Sequence, residues 1–162
     1  MASARRRITP PPLPGRTIVI SIRRATPDDA TTVYTLVRGL ADHQDQGWAI
    51  TVTTDDLKRL LARPEVGYLI AERDGQAIGY VSWLQRIGFW SGQDYLHLDD
   101  LYVTGDERGN GVGEQLMRGI AEVADGKVIR WEVAEANVAA QRFYERIGAT
   151  LISKKIGRWQ PE

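Results

Sequence analysis

Six residues, Arg108-Gly109-Asn110-Gly111-Val112-Gly113, stand between a strand-like stretch ending in Leu101-Tyr102-Val103 and a run in which Val112, Leu116, Ile120 and Val123 recur at helical spacing. A glycine-rich turn at the start of a helix lets several backbone N–H groups converge where the helix dipole also favours an anion. A β-carbon there would hold the anion away and restrict the dihedrals, so glycine suits the position. A phosphate is the expected ligand, against the plainer reading of a tight strand-to-helix turn. Two other phosphate loops do not match. The nucleotide-hydrolysing loop GxxxxGK[ST] is absent, because no lysine and hydroxyl pair follows the glycines. The dinucleotide fingerprint GxGxxG fails because Glu114 occupies the place of its third glycine counted from Gly109. A pyrophosphate loop of the form R-x-x-G-x-G matches Arg108, Gly111 and Gly113.

The other residues able to do chemistry are mostly carboxylates. From Ile87 to Glu107 there is no lysine or arginine, but there are Asp94, Asp99, Asp100, Asp106 and Glu107, with Trp83, Phe89, Trp90 and Tyr95 in or just before that stretch. Carboxylates beside aromatic faces suit a cationic amine. Alternation along a strand places Asp99 and Asp100 on opposite faces, and Glu132 and Glu135 follow on the next strand. The two histidines, His43 and His97, are too few and too far apart to suggest a metal. The absence of cysteine excludes disulfides, thiolate zinc sites and a cysteine-linked acyl intermediate.

Lysine plus arginine and aspartate plus glutamate each number 21, and the resulting zero net charge argues against nucleic acid as the main partner. Residues 1–17 carry Arg5, Arg6, Arg7 and Arg16, no acid, and four prolines, and are expected to form a disordered basic leader. This leader lacks the hydrophobic stretch of a secretory signal and the stripe of an organelle presequence, so a cytoplasmic protein is expected. No apolar run approaches the roughly 20 residues of a membrane span.

These groups need elements to position them, and the pattern supplies one domain over 18–162. Thr17 to Arg23 alternates as a strand, and Pro27-Asp28 opens a helix over about 27–41. Thr53 or Thr54 caps a second helix ending near Pro64, and the intervening HQDQGWAITV reads as a loop that could border a site. Tyr68 to Glu72 and Gln76 to Leu84 are strands joined by Asp74-Gly75, a two-residue hairpin signal. Tyr95 to Val103, Lys127 to Val133 and Thr150 to Ile156 are further strands. Asn137 is placed to cap a helix over VAAQRFYERI, which Gly148 ends. Early hairpins and a late strand–helix–strand crossover predict an α+β fold, a single domain with a mixed, mostly antiparallel sheet of about six strands flanked by helices.

Two segments, LDDLYVTGDERGNGVGEQLM at 98–117 and WEVAEANVAAQRFYERIGA at 131–149, resemble the pyrophosphate-loop motif and the N-x-x-A-x-x-F-Y-x-x-x-G-A motif of the GNAT superfamily of acyl-CoA-dependent N-acyltransferases. The doublet before LYV and the VAE-x-N stretch are similar to the spermidine/spermine branch and its relatives acting on small amines or thialysine. That branch usually has glutamate at Asp99 and often tryptophan at Ala136. The resemblance implies direct acetyl transfer from acetyl-CoA to a primary amine. It implies Tyr144 as the acid that protonates the departing sulfur and Asp99 as the general base, with Glu132 and Glu135 as alternative bases. The backbone from Arg108 through Gly109, Asn110, Gly111 and Val112 to Gly113 would hold the pyrophosphate. Tyr102 and Val103 would bond to the pantetheine arm, an N–H near Leu101 to Val103 would serve the oxyanion, and Asn137 would cap its helix and touch the arm. Asp100, Trp83, Trp90 and Glu132 would contact the acceptor, and a homodimer is implied. Acetylation of protein or peptide amines and a non-catalytic acyl-CoA sensor remain alternatives. Arg142, Arg146, Lys154, Lys155 and Arg158 form a basic C-terminal region that either faces CoA or is a solvated surface.

Overall fold

A computed structural model describes residues 19–161; the expected leader at 1–17 lies outside the described residues. Five strands form one sheet in the order β1 (Ile20–Arg24), β2 (Val66–Arg73), β3 (Gln76–Gly88), β4 (Gln93–Val103), β5 (Ile129–Arg130). The first four are antiparallel neighbours and β5 runs parallel to β4. Asp74 and Gly75 both hold positive φ, as a two-residue turn between twisted strands requires.

Four helices cover the two faces. On one face lie α1 (Ala30–His43) and α2 (Thr54–Leu61), whose Val33, Leu36 and Leu57 meet Ile70 and Tyr80. On the other lie α3 (Val112–Ala124) and α4 (Val138–Arg146), whose Leu116, Ile120 and Tyr144 meet Leu69, Val81, Leu96 and Leu98. The caps explain where the helices begin. Thr53 and Asp56 form a reciprocal capping box at α2, and Asn137 Oδ1 accepts the Ala140 N–H at 3.1 Å at α4. Pro27 to Asp29, expected inside the first helix, form a single 3₁₀ turn ahead of α1.

Two strand expectations require correction. Lys127 to Val133 contributes only Ile129 and Arg130, because the chain then leaves β4, although Trp131 and Val133 still pack on the α3 face. Thr150 to Ile156 forms no strand, so five strands stand where about six were expected. Only Leu151 packs on the core while Ile152 and Ile156 are exposed, and alternation holds a strand only where a whole side packs.

Candidate active site

The sheet opens where β4 and β5 part. They pair only at Leu96 with Ile129 and His97 with Arg130, and β4 continues to Val103 without β5 beside it. At the end of β4 the Thr104 N–H donates to the Ile78 carbonyl at 2.9 Å. Alternate residues of an antiparallel ladder face the partner, so Tyr102 also bonds to β3 while Leu101 and Val103 turn their N–H and C=O groups toward the gap. This corrects the expectation for the Tyr102 backbone, and the polar edge belongs to Leu101 and Val103. Arg108 Nε donates to the Val103 carbonyl at 3.0 Å.

Beyond β4 the glycine-rich turn is exposed and leads into α3. Gly109 and Gly111 have φ of +80° and +78°, and a β-carbon on either would meet no atom within 4 Å. Gly111 is the N-cap of α3 and no side chain caps the first turn, which leaves that end available to an anion. The turn is held from two sides. Glu107 pairs with Arg73 of β2 at 2.8 Å, and Arg108 reaches His43 Nε2 at the end of α1 at 3.0 Å. Arg108 therefore anchors the turn through its own donors, with its guanidinium over the Tyr102 ring.

A bulge decides where the carboxylates go. Val81 lies opposite Leu101 and Trp83 opposite Leu98, so one residue of β3, Ser82, faces both Asp99 and Asp100. The extra residue inverts the alternation. Leu96 and Leu98 before it and Leu101 and Val103 after it all pack toward α3, while Tyr102 packs toward α1. Asp99 and Asp100 therefore share the α1 face, contrary to the opposite-face expectation. Tyr80, fully buried, donates its hydroxyl to Asp100 Oδ2 at 3.1 Å, and the Asp100 N–H donates to Ser82 Oγ at 3.2 Å. Burial raises the Asp100 carboxyl above its ordinary value and the charge of Asp99 adds to the rise, while the Tyr80 and Ser82 hydroxyls oppose it. Tyr68, stacked on Tyr80 with ring centroids 5.9 Å apart, is pushed up to about 12 by burial and then by the two carboxylates. Asp99 is exposed, 3.7 Å from His97 Nε2, and borders an open pocket of about 290 Å³ with Leu60, Arg63, Tyr68 and Leu84.

Tyr144 stands on the opposite side of the sheet. Its ring is buried among the α3-face residues, with centroids 4.8 Å from Trp131 and 5.2 Å from Phe143, and burial raises its phenol above the ordinary value. The carboxylates and this phenol thus lie on different faces, and the gap beyond Arg130 is where the two faces meet.

Residues 34–149 match the family described as Acetyltransferase (GNAT) family. The chain belongs to that family. It is 33% identical over 154 residues to a mycothiol acetyltransferase of Thermobispora bispora, covering 88% of this chain and 50% of that protein. The chain thus spans half the length of that relative. It is 27% identical over 135 residues to a thialysine N-epsilon-acetyltransferase of Caenorhabditis elegans, covering 82% of this chain and 84% of that one. An aminoglycoside N-acetyltransferase solved in complex with CoA shares the fold at a TM-score of 0.74 and 20% identity, over 91% of this chain and 99% of its own.

For a GNAT acetyltransferase the donor is acetyl-CoA, and the residues present fit it: open space over Gly109 and Gly111, an uncapped helix start, and a strand edge at Leu101 and Val103. Trp83, an expected acceptor contact, lines the pocket beside Asp99, with its ring buried on the α3 face so close over Gly67 that a β-carbon there would lie 2.1 Å from it. Trp90 is fully exposed at the tip of the β3–β4 hairpin, roughly 25 Å along the strand from Asp99 at ~3.3 Å per residue. Glu132 and Glu135 are exposed on the segment after β5. Sequence reasoning missed Tyr68, Tyr80 and Ser82. Tyr80 and Ser82 lie two apart in β3, a same-face spacing that was available as a signal.

Proposed function

We propose that this GNAT acetyltransferase moves an acetyl group from acetyl-CoA directly to a primary amine of a small cationic acceptor, polyamine-like or amino-acid-like. The observation that carries the reading is the bulge that sets Asp99 and Asp100 side by side beneath Tyr68 and Tyr80, next to the gap edge at Leu101. Two adjacent carboxylates and tyrosine rings attract a cation, and the pocket beside Asp99 is open to solvent.

The roles follow from what the reaction requires. An aliphatic ammonium of pKa about 10 has no lone pair at neutral pH, so a base must take a proton, directly or through water, before attack. Asp99 and Asp100 are the groups at hand. Bound at the gap, acetyl-CoA supplies the activated acetyl thioester. The loop backbone from Arg108 to Gly113 and the start of α3 hold its pyrophosphate, and the Leu101 and Val103 edge holds the arm. Asn137, fixed as the cap of α4, sits where that helix starts and contacts the arm. The N–H of Leu101 or Val103 donates to the developing oxyanion. Tyr144, kept protonated by burial, gives its proton to the departing thiolate.

The protein acts in the cytoplasm as a homodimer in this reading; among the described residues no helix is long and apolar enough to cross a membrane. The exposed Phe89 and Trp90 at the hairpin tip support a partner contact there. A competition separates the acceptor classes. With acetyl-CoA limiting, spermidine, thialysine and a lysine-containing peptide are offered together and the products weighed by mass spectrometry. Acetylation of the free amines is expected, and acetylation confined to the peptide overturns the small-acceptor assignment.

A further inference from the structure

The two carboxylates at the bulge share a face but not an environment. Asp99 is exposed, with 56% of its side chain open, and has His97 3.7 Å away. Asp100 is half-buried and fixed at two points, by the Tyr80 hydroxyl on Oδ2 and by its own N–H on Ser82 Oγ. Ser82 is the one buried polar residue among the described core, and Tyr80 is one of its largest fully buried side chains. A fully buried phenol whose hydroxyl meets a carboxylate fixes both the rotamer and the free oxygen of that carboxylate. Resting on the N-acetyltransferase reading above, we propose a division of labour that exchanges the two roles implied by the family resemblance: Asp99 docks the cationic acceptor, Asp100 takes its proton, and Tyr80 is the positioning residue that presents Asp100 for the transfer.

With Oδ2 occupied by Tyr80, the proton lands on Oδ1. One ammonium N–H bond breaks, its electron pair stays on nitrogen as the attacking lone pair, and an O–H bond forms on Asp100. Water takes that proton after product leaves. Asp99, exposed at the mouth of the pocket, is placed to meet an incoming cation. A half-buried one beside a second negative charge accepts a proton more readily. The other ionisable groups on this face are Tyr68 from β2, Tyr34 from α1, Tyr102, His97 and Asp99 from β4, and Arg63 after α2, which pairs with Glu65.

Tyr80→Phe removes only the hydroxyl and keeps the ring in the core. It is expected to lower kcat about tenfold, leave both KM values within about twofold, and move the acidic limb of the pH–rate profile to higher pH, because a donor to the charged carboxylate is gone. The displacement should persist in a His97→Gln background, which separates Asp100 from the imidazole. Asp100→Asn is expected to cost kcat on the order of 100-fold or more and to abolish the limb, while Asp99→Asn raises the amine KM more than it lowers kcat. An unshifted limb with unchanged kcat in Tyr80→Phe overturns the proposal, as does loss of the limb in Asp99→Asn. Should Asp100→Asn not fold, Tyr80→Phe decides alone. Failure of the underlying reading looks different: the unmodified enzyme then releases no CoA with any amine.

Discussion

In the proposed reaction Tyr144 and the bulge carboxylates divide the chemistry at the scale of single side chains. Tyr144 has its ring against Trp131 and Phe143, so its place is set by aromatic packing. Tyr144→Phe keeps that packing and removes the proton. Turnover is expected to fall about 10²-fold while the acetyl-CoA dissociation constant changes by less than about threefold; an unchanged kcat would remove Tyr144 from the mechanism. Side-chain positions were partly legible in the sequence. Tyr144 and Asn137 stand on a recognisable helix, and Asn137 caps it as expected. The shared face of Asp99 and Asp100 was not legible, because a bulge changes the parity of a strand without leaving any turn residue in Leu-His-Leu-Asp-Asp-Leu to announce it. Trp90 was placed at the site by its nearness in sequence to the acidic stretch, and that nearness carries no information about which end of the hairpin an aromatic ring occupies.

Secondary-structure elements hold the site through their ends. The helices and the first four strands were legible because caps, an Asp-Gly turn and apolar spacing all agreed. Thr150 to Ile156 misled because alternation was present without a packed side. The join between β1, β2 and the start of α1 depends on charge: the Arg23 guanidinium lies 2.7 Å from Asp29 and 2.8 Å from Glu72. The Arg23 hydrogen bonds hold the Asp29 carboxyl at about 2, with the Thr26 bonds adding to this. A carboxyl lowered by folding stabilises the native state at pH above its unfolded value of about 3.9, and this contribution disappears as pH falls through 2. Asp29→Asn is expected to cost about 1–2 kcal/mol at pH 7. In urea melts the gap between the two proteins should close between about pH 4 and pH 2. A gap that stays constant over that range assigns the loss to the Thr26–Asp29 capping box of the 3₁₀ turn ahead of α1 instead.

The proposed reaction gives the whole molecule a donor side and an acceptor side, joined where β4 and β5 part. In it the loop from Arg108 to Gly113, α3 and Tyr144 serve the first, and Tyr68, Tyr80, Asp99 and Asp100 serve the second. The zero net charge of the chain averages over this separation, with an acidic stretch before the loop and a basic region from α4 onward. In the proposed homodimer the apolar hairpin tip is covered. Light scattering of the eluting protein should read twice the mass of one chain, and a Phe89→Ser, Trp90→Ser variant should read one. A dimer unaffected by those changes moves the interface elsewhere. Acetyl transfer across the gap to a small cationic amine releases CoA thiol, which a thiol reagent reads. The chain contains no cysteine, so a thiol reagent sees only the product. With acetyl-CoA and a panel of polyamines, thialysine, aminoglycosides and lysine peptides, the account predicts amine-dependent thiol release that is fastest with small polycationic or amino-acid-like acceptors. Tight CoA binding with no thiol release from any amine would contradict it.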